Sequence, residues 1–356
     1  MKPIVSRKQN YIQDLSSQRS VKAGGRNIDK QVLELTKLTF AVLESKEQIL
    51  GKDLVDMSGR ELEALIPYVT ELFEAEDYGL LCGAGERGKD LAVAFVLYLY
   101  NRWNHKVFLS AEEARANKGS PLTNTRLFKD ASAMTWIIRS PEHLDELLNS
   151  WLDPTEADTV DCCTRAIVWM AYCGMTEEEI VSTKVGDVDL DEGIIHAKRS
   201  GVPVSIKMCS EAWPCLKKLV ELDKFWCERP GLTNGYAWIK RQAGDQLIRG
   251  QKLKGYSPTV SDARKRINNA MVRKLGNKMM AFSLTYRTVY KCGVFESVYK
   301  MESINSLQSA EDALLEYAME TMADISGLEE RLRERRVRDR KHQVRQEYNI
   351  WKSFRK

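Results

Sequence analysis

The sequence predicts a mainly α-helical protein with a small β-hairpin or sheet, an α+β architecture. Apolar residues recur at three- and four-residue spacing through much of the chain, which is typical of amphipathic helices. Strand-like runs are confined to 193–198 and 202–206, on either side of a short glycine-containing turn. No apolar run reaches the roughly 18 residues that a membrane helix needs, so no membrane partner is expected.

The first 138 residues are predicted to form an arm followed by a helical bundle. Residues 1–27 are basic and lack the apolar stretch of a secretory signal, so they are expected to be a flexible arm. Residues 28–138 show helical periodicity. Within them, Ser58 and Glu61 have the spacing of a capping box, which predicts a helix that begins there and runs to Phe73.

A second unit is predicted over 139–325, followed by a basic C-terminal helix or tail, 326–356. Ser140 is expected to cap its first helix, with Pro141 at the first helical position. A core helix then ends at Gly174, and a short acidic helix and the β-hairpin follow. Further helices are expected over 210–226, 261–275, 282–300, 309–325 and 328–350, with a basic loop or irregular region at 231–255.

Charge is segregated along the chain, although the formal net charge is only +4. Residues 1–26 carry +5, 27–239 carry −12, 240–300 carry +11, 301–330 carry −8 and 331–356 carry +8. A single charged block is as often a solvated face as a binding site. Three basic blocks on an otherwise acidic chain favour a polyanionic partner.

The cysteines and histidines indicate neither a zinc site nor a disulfide framework. The eight cysteines form no Cys-x-x-Cys pair, and the four histidines are scattered. Reduced thiols and a cytoplasmic location are therefore expected.

Two short motifs carry a resemblance to a known family. The box Gly-Leu-Arg-x-Ser-Glu-Leu is matched by "GMTEEEI" at 174–180, and a Trp-x-Asp-Ile-Asp segment by "VGDVD" at 185–189. Both patterns are those of the tyrosine recombinases, or phage integrases. The order of elements after residue 139 resembles their catalytic domain, and the helical bundle resembles their SAM-like core-binding domain.

The resemblance implies a DNA-cleaving chemistry. In this family a tyrosine attacks a DNA phosphate and forms a 3′-phosphotyrosine link. Two arginines stabilise the phosphate charge, a hairpin lysine and histidines handle protons, and neither a metal nor a nucleotide cofactor is required. By analogy with other phosphoryl transfers, one such arginine is worth roughly 10³–10⁵ in rate.

Most of these catalytic positions are not filled here. Arg287 occupies the second arginine slot, but Leu284 stands where the family has histidine. Tyr317 is the candidate nucleophile and Lys198 the candidate hairpin lysine, although Tyr317 also suits a helix core. At the first arginine slot the chain has Thr176.

Thr176 has a structural interpretation of its own. Together with Glu179 it forms a second capping-box pattern, in which the threonine hydroxyl accepts a hydrogen bond from the backbone three residues on. The three consecutive glutamates that follow Thr176 would also repel a phosphate. The sequence therefore predicts a helix cap in place of a phosphate clamp.

Without the chemistry, the resemblance still implies a clamp around double-stranded DNA. The basic helix 261–275 is the candidate for groove contact, the preceding loop is the candidate for phosphate contact, and Arg287 is expected to hold a backbone phosphate. The candidate DNA-binding residues are Lys240, Arg241, Arg249, Lys252, Lys254, Arg264, Lys265, Arg266, Arg273, Lys274 and Arg287.

The leading hypothesis is a catalytically inactive tyrosine-recombinase scaffold that binds specific DNA, as a repressor-like regulator in a phage or mobile element. One alternative is an active, divergent recombinase that uses Arg287, Tyr317 and Lys198, with Arg165 as a second positive charge. Another is a helical protein-interaction module. Related enzymes exchange a C-terminal helix between subunits, so a homo-oligomer formed through the tail is expected, but the basic tail is equally compatible with a second DNA contact.

Overall fold

The computed structural model describes residues 4–16, 28–82, 86–108, 121–152, 159–199, 201–228, 236–240, 246–248, 285–322 and 325–355. The protein is mainly α-helical with a small three-stranded antiparallel sheet and a separate two-stranded ribbon, as the sequence predicts for its fold class. The chain divides into two compact units. The first is formed mainly by Met1–Ile137, and the second mainly by Ile138–Leu148, Leu152–Ala270 and Leu284–Lys356.

The first unit is a bundle of helices around a buried central helix. Its aromatic core includes Phe40, Phe95 and Tyr100, which are at most 6 % exposed. The helices are α1 (Ile4–Ser16), α2 (Ile28–Leu50), α3 (Gly59–Glu63), α4 (Ile66–Thr70), α5 (Gly79–Cys82), α6 (Glu86–Phe108) and α7 (Arg126–Ala133).

The second unit surrounds a core that includes Trp169, Phe295 and Trp351, all fully buried. Its helices are α8 (Pro141–Trp151), α9 (Thr159–Tyr172), α10 (Glu177–Ser182), α11 (Trp213–Glu221), α12 (Tyr286–Ser303), α13 (Leu307–Glu320) and α14 (Glu330–Arg355). Its strands are β1 (Val188–Asp189), β2 (Ile194–Arg199), β3 (Val202–Lys207), β4 (Lys224–Glu228) and β5 (Tyr236–Lys240).

The predicted hairpin is confirmed as β2 and β3. They pair antiparallel with Ile195 opposite Ile206 and Arg199 opposite Val202, and β1 adds to the other edge of β2. Gly201 takes a φ of +84° in the turn between them, a conformation that favours glycine. The strands β4 and β5 form the separate ribbon, with Trp226 opposite Trp238.

The N-terminal segment differs from the expected flexible arm over residues 4–16, because α1 has an aromatic anchor. Tyr11 is fully buried, and its ring lies 5.2 Å from the rings of both Tyr100 and Trp103. The Trp103 indole also donates a 3.0 Å hydrogen bond to the Asp14 carboxylate. These contacts fix α1 to the bundle, whereas the rest of the expected arm lies outside the described residues.

Two other predicted helices are wrong in extent. The helix expected over 58–73 is split into α3 and α4, because Pro67 has no N–H to donate to the carbonyl of Glu63 and its ring crowds that carbonyl. The helix expected over 210–226 ends at Glu221, and Lys224–Glu228 form β4 instead. Its partner β5 lies inside the region expected to be an irregular basic loop.

The C-terminal helix α14 packs against α12 and α13 of its own chain. Val344, Tyr348 and Trp351 are each at most 2 % exposed, and the Trp351 indole donates a 2.6 Å hydrogen bond to the carbonyl of Ile138. From the acidic 301–330 block, Glu302 contributes to this packing and accepts a 2.8 Å hydrogen bond from the Tyr348 hydroxyl. The acidic and basic blocks thus pair within one chain.

Candidate functional site

Thr176 is a helix cap. Its hydroxyl accepts a 3.2 Å hydrogen bond from the backbone N–H of Glu179, and the Glu179 carboxylate accepts a 2.7 Å bond from the backbone N–H of Thr176. The preceding turn is made by Gly174, whose φ is +88°. The predicted capping box is confirmed, and Thr176 starts α10.

The Glu179 carboxylate has a second role that sequence reasoning missed. It is 1 % exposed and accepts two hydrogen bonds from Arg199, at 2.8 Å from Nε and 3.1 Å from Nη2. The same Nη2 donates a 2.9 Å bond to the carbonyl of Gly174. These hydrogen bonds raise the pKa of Arg199 above its usual value. The guanidinium is therefore held beside the first motif, but its charge is neutralised there.

Strand geometry explains why Arg199 was missed and Lys198 was favoured. Alternate residues of a strand face opposite sides, so Ile195, Ala197 and Arg199 share one face of β2. Ile195 is fully buried and Arg199 partly so, whereas Lys198 is exposed on the opposite face. The apolar residue Ile195 was the sequence signal for the inward face of β2, and Arg199 lies on that same face.

A cavity of about 520 Å³ opens beside this ion pair, entirely within the second unit. A close approach between helices shapes it, because a Cβ at Gly293 of α12 would lie 1.8 Å from the carbonyl oxygen of Tyr172 at the end of α9. The charged and aromatic side chains that line the cavity are Arg199, Lys207, Lys300, Glu296, Glu316, Glu320, Tyr172, Tyr290 and Tyr317.

Tyr317 lines this cavity from α13, as part of an aromatic cluster. It is 5 % exposed, and its ring centroid lies 6.1 Å from that of Tyr290 and 6.0 Å from that of Phe295. Burial raises the pKa of the Tyr317 hydroxyl above its usual value. A tyrosine nucleophile needs the opposite shift, because it must give up its proton as it attacks.

Tyr290 and Tyr286 connect α12 to the same region. The Tyr290 hydroxyl donates a 2.9 Å hydrogen bond to Glu320, and the Tyr286 hydroxyl donates a 2.8 Å bond to the carbonyl of Met175. Burial is the main reason that the pKa of Tyr290 is raised. The first two turns of α12 thus carry tyrosines that donate to a carboxylate and to a backbone carbonyl.

The other catalytic candidates do not line this cavity. Arg287 lies in the first turn of α12 and is exposed, with no ion-pair partner among the described residues. Arg165 lies on α9, where it reaches Asp145 at 3.5 Å and the carbonyl of Leu152 at 3.4 Å. Of the four described candidates Lys198, Arg165, Arg287 and Tyr317, only Tyr317 lines the cavity. Gly174 and Arg199 line the same cavity.

Most of the candidate DNA-binding residues lie outside the described part of the chain. Lys240 is described at the end of β5 and is exposed, as is Arg287. Outside the described residues are Leu284 and the basic residues Arg241, Arg249, Lys252, Lys254, Arg264, Lys265, Arg266, Arg273 and Lys274.

Two thiols lie close together at the edge of the cavity. The sulfurs of Cys173 and Cys209 are 3.6 Å apart, and the backbone N–H of Cys209 lies 3.4 Å from Cys173 Sγ. The hydrogen bond from Cys209 lowers the pKa of Cys173. The residues that the structure describes contain no group of three or more side chains arranged to hold a metal ion.

No family model matches the chain, and no curated protein matches it. Over the described residues, no helix combines the length and apolar character required to cross a bilayer. Among solved structures, the chain is similar to a lambda integrase dimer bound to a COC′ core site, with 13 % identity, 87 % of this chain and 90 % of that chain covered, and a TM-score of 0.31. It is also similar to the Tn1549 transposon integrase in complex with circular intermediate DNA, with 13 % identity, 86 % and 90 % coverage and a TM-score of 0.32. Both structures are integrases.

Proposed function

We propose that this protein binds specific sites on double-stranded DNA through a tyrosine-recombinase scaffold that does not cleave DNA. We further propose that it acts in the cytoplasm as a repressor-like regulator of a phage or mobile element. The main observation in support of a scaffold that does not cleave DNA is the Glu179–Arg199 ion pair beside the Thr176 cap. The position of the family's first arginine has become structural.

Electrostatics at the cavity support the same proposal. Three carboxylates, Glu296, Glu316 and Glu320, line the space in which a phosphate would have to sit beside Tyr317. Of the cations there, Arg199 is bound to Glu179, Lys300 lies 3.6 Å from Glu296, and Lys207 donates to the backbone carbonyl of Glu192. A transferring phosphate gains negative charge in the transition state and would meet little uncompensated positive charge at this site.

The proposal of DNA binding rests on the basic blocks of the sequence. The block 240–300 carries +11, and Lys240 and Arg287 from it are exposed. Each cation that neutralises a phosphate contributes about 0.9 to the slope of log affinity against log salt on duplex DNA. Six or so contacts would make binding steeply salt-dependent.

The test of specific binding is capture of fragmented source-genome DNA on the purified protein, followed by elution with salt and sequencing. Enrichment of a few sites close to promoters supports a regulator. Uniform recovery of all fragments contradicts specific binding. Failure to recover DNA at low salt favours the alternative of a protein-interaction module.

An active recombinase is the second candidate, and one observation favours it: Tyr317 and Arg199 line the same cavity. Activity would require Arg199 to leave Glu179 and bind a phosphate. Replacement of Tyr317 by phenylalanine separates the candidates, because a recombinase loses all strand exchange whereas a regulator retains its DNA affinity. Phe is also the conservative change for a tyrosine that packs in an aromatic cluster.

A homo-oligomer through the C-terminal helix is also part of the proposal. Because α14 is docked on its own chain through Trp351, an exchange between subunits would require this docking to be released and re-formed in trans. Sedimentation of the full chain with and without its DNA site measures the oligomeric state directly.

A further inference from the structure

The helix α14 has two faces with different roles. One face carries Val344, Tyr348 and Trp351 and is buried against its own chain. Ion pairs flank this face: Lys352 contacts Glu302, and Arg355 contacts Glu296 at 2.9 Å. These docking contacts lie in the second half of the helix, and their ion pairs involve only part of its positive charge.

The opposite face of α14 is a basic stripe. Its members recur at intervals of three and four residues, so they share one face of the helix, and all are exposed. The basic stripe consists of Arg331, Arg335, Arg338, His342 and Arg345. At 1.5 Å per residue, the stripe places four arginines and one histidine along roughly 21 Å of the helix.

Few carboxylates neutralise the stripe. Residues 330–341 contain seven arginines and lysines against three carboxylates. Arg335 has a partner in Asp339 at 3.8 Å and Arg345 pairs with Glu311, both at exposed positions where ion pairs are worth little. Arg331 and Arg338 have no ion-pair partner within the described ranges.

The docking of α14 also limits which partner the stripe fits. A helix that binds a membrane surface needs an exposed apolar face beside its cations, but the apolar face of α14 is already buried in the protein. The stripe is instead a row of cations on a rigid helix. Duplex DNA offers the complementary surface, with one negative charge per about 1.7 Å of its axis.

We propose that the basic stripe of α14 is a second DNA-binding surface that contacts the phosphate backbone. This inference rests on the proposed DNA binding and adds to it a contact outside the basic block 240–300. The stripe reads no bases, so it contributes affinity and salt dependence at any duplex sequence. Contact between the stripe and DNA requires no movement of α14, because the docked face and the stripe lie on opposite sides of the helix.

The test compares the full-length protein with a variant in which Arg331, Arg335 and Arg338 are changed to glutamine. Affinity for mixed-sequence duplex DNA is measured over about 50–200 mM salt. Three lost phosphate contacts should lower the slope of log affinity against log salt by about 2.7, at about 0.9 for each contact. Thermal stability should change little, because all three side chains are exposed.

The matched control removes the same charge elsewhere, at the exposed residues Lys37, Lys129 and Lys217, each changed to glutamine. An equal fall in slope for the control would show an effect of net charge and overturn the assignment to the stripe. An unchanged slope in the stripe variant, with the wild type still binding DNA, overturns this inference alone. A wild type that does not bind duplex DNA overturns the proposed function as well.

Discussion

At the scale of single residues, the hydrogen bonds accepted by the Glu179 carboxylate define the site. This carboxylate accepts bonds from the backbone of Thr176 and from the guanidinium of Arg199, and it is almost fully buried. A buried charge is stable only while it is paired, so the pair is expected to be structural.

Replacement of Arg199 by alanine should therefore destabilise the protein. The variant leaves Glu179 buried without its cation, and the expected loss in free energy of unfolding is about 3 kcal/mol, at the low end for such pairs because Arg199 is 40 % exposed. Urea unfolding measures this loss. The neighbouring Lys198→Ala change is the control and should cost less than about 0.5 kcal/mol. Equal effects of the two changes would refute the structural role of Arg199.

The thiol pair makes a prediction about pH. The pKa of Cys173 is lowered, so its reactive thiolate is present at lower pH than that of an ordinary cysteine. Burial raises the pKa of Cys292 to about 12, so this thiol should stay unreactive near neutral pH. Alkylation followed by mass spectrometry across pH should therefore modify Cys173 well before Cys292.

The control for this prediction is Cys209→Ala, which removes the side-chain hydrogen bond that is the main cause of the lowered pKa of Cys173 and leaves the backbone N–H in place. Alkylation of Cys173 in that variant should shift to higher pH. An unshifted profile would mean that Cys209 does not control the reactivity of Cys173.

At the scale of elements, the helix caps and the β2–β3 hairpin were predicted from local sequence signals, whereas the β4–β5 ribbon was not. The caps at Ser58 and Thr176 were predicted because capping residues lie three positions apart in sequence. The β4–β5 ribbon was missed because a five-residue strand is stabilised by a partner strand further along the chain. Which side of β2 faces inward depends on register and burial, so Lys198 was favoured over Arg199.

The cap of α10 predicts a small and specific effect. Thr176→Ala removes the hydroxyl acceptor and should cost about 1 kcal/mol of stability, whereas Thr176→Ser keeps the acceptor and should cost much less. Denaturant midpoints of the two variants measure the difference. Indistinguishable midpoints would mean that the cap contributes nothing.

The docking of α14 predicts a larger effect. Trp351→Ala removes a fully buried indole and its hydrogen bond to the carbonyl of Ile138, and it should cost about 3–5 kcal/mol. Ile350 on the same helix is 37 % exposed, and Ile350→Ala should have a minor effect. Thermal unfolding compares the two. A minor effect at Trp351 would indicate that α14 is not held in cis.

At the scale of the whole molecule, the segregation of charge along the chain and the Glu179–Arg199 ion pair beside the Thr176 cap support the proposed function. The mainly α fold was predicted from periodicity, since helical spacing is a local property of the chain. The Thr176 cap was predicted because a cap is local, whereas the Glu179–Arg199 ion pair was not, because it joins residues twenty positions apart. The proposed function is that of a scaffold that binds DNA and does not cleave it.

The most direct test of this account is the chemical nature of the protein–DNA complex. Duplex fragments that carry the captured site are incubated with the protein, treated with SDS and examined for DNA that remains attached to protein. The account predicts that SDS releases all of the DNA from the wild type and from the Tyr317→Phe variant alike. DNA that stays attached to the wild type, is freed by protease and is absent from the Tyr317→Phe variant would show a phosphotyrosine link and contradict the account.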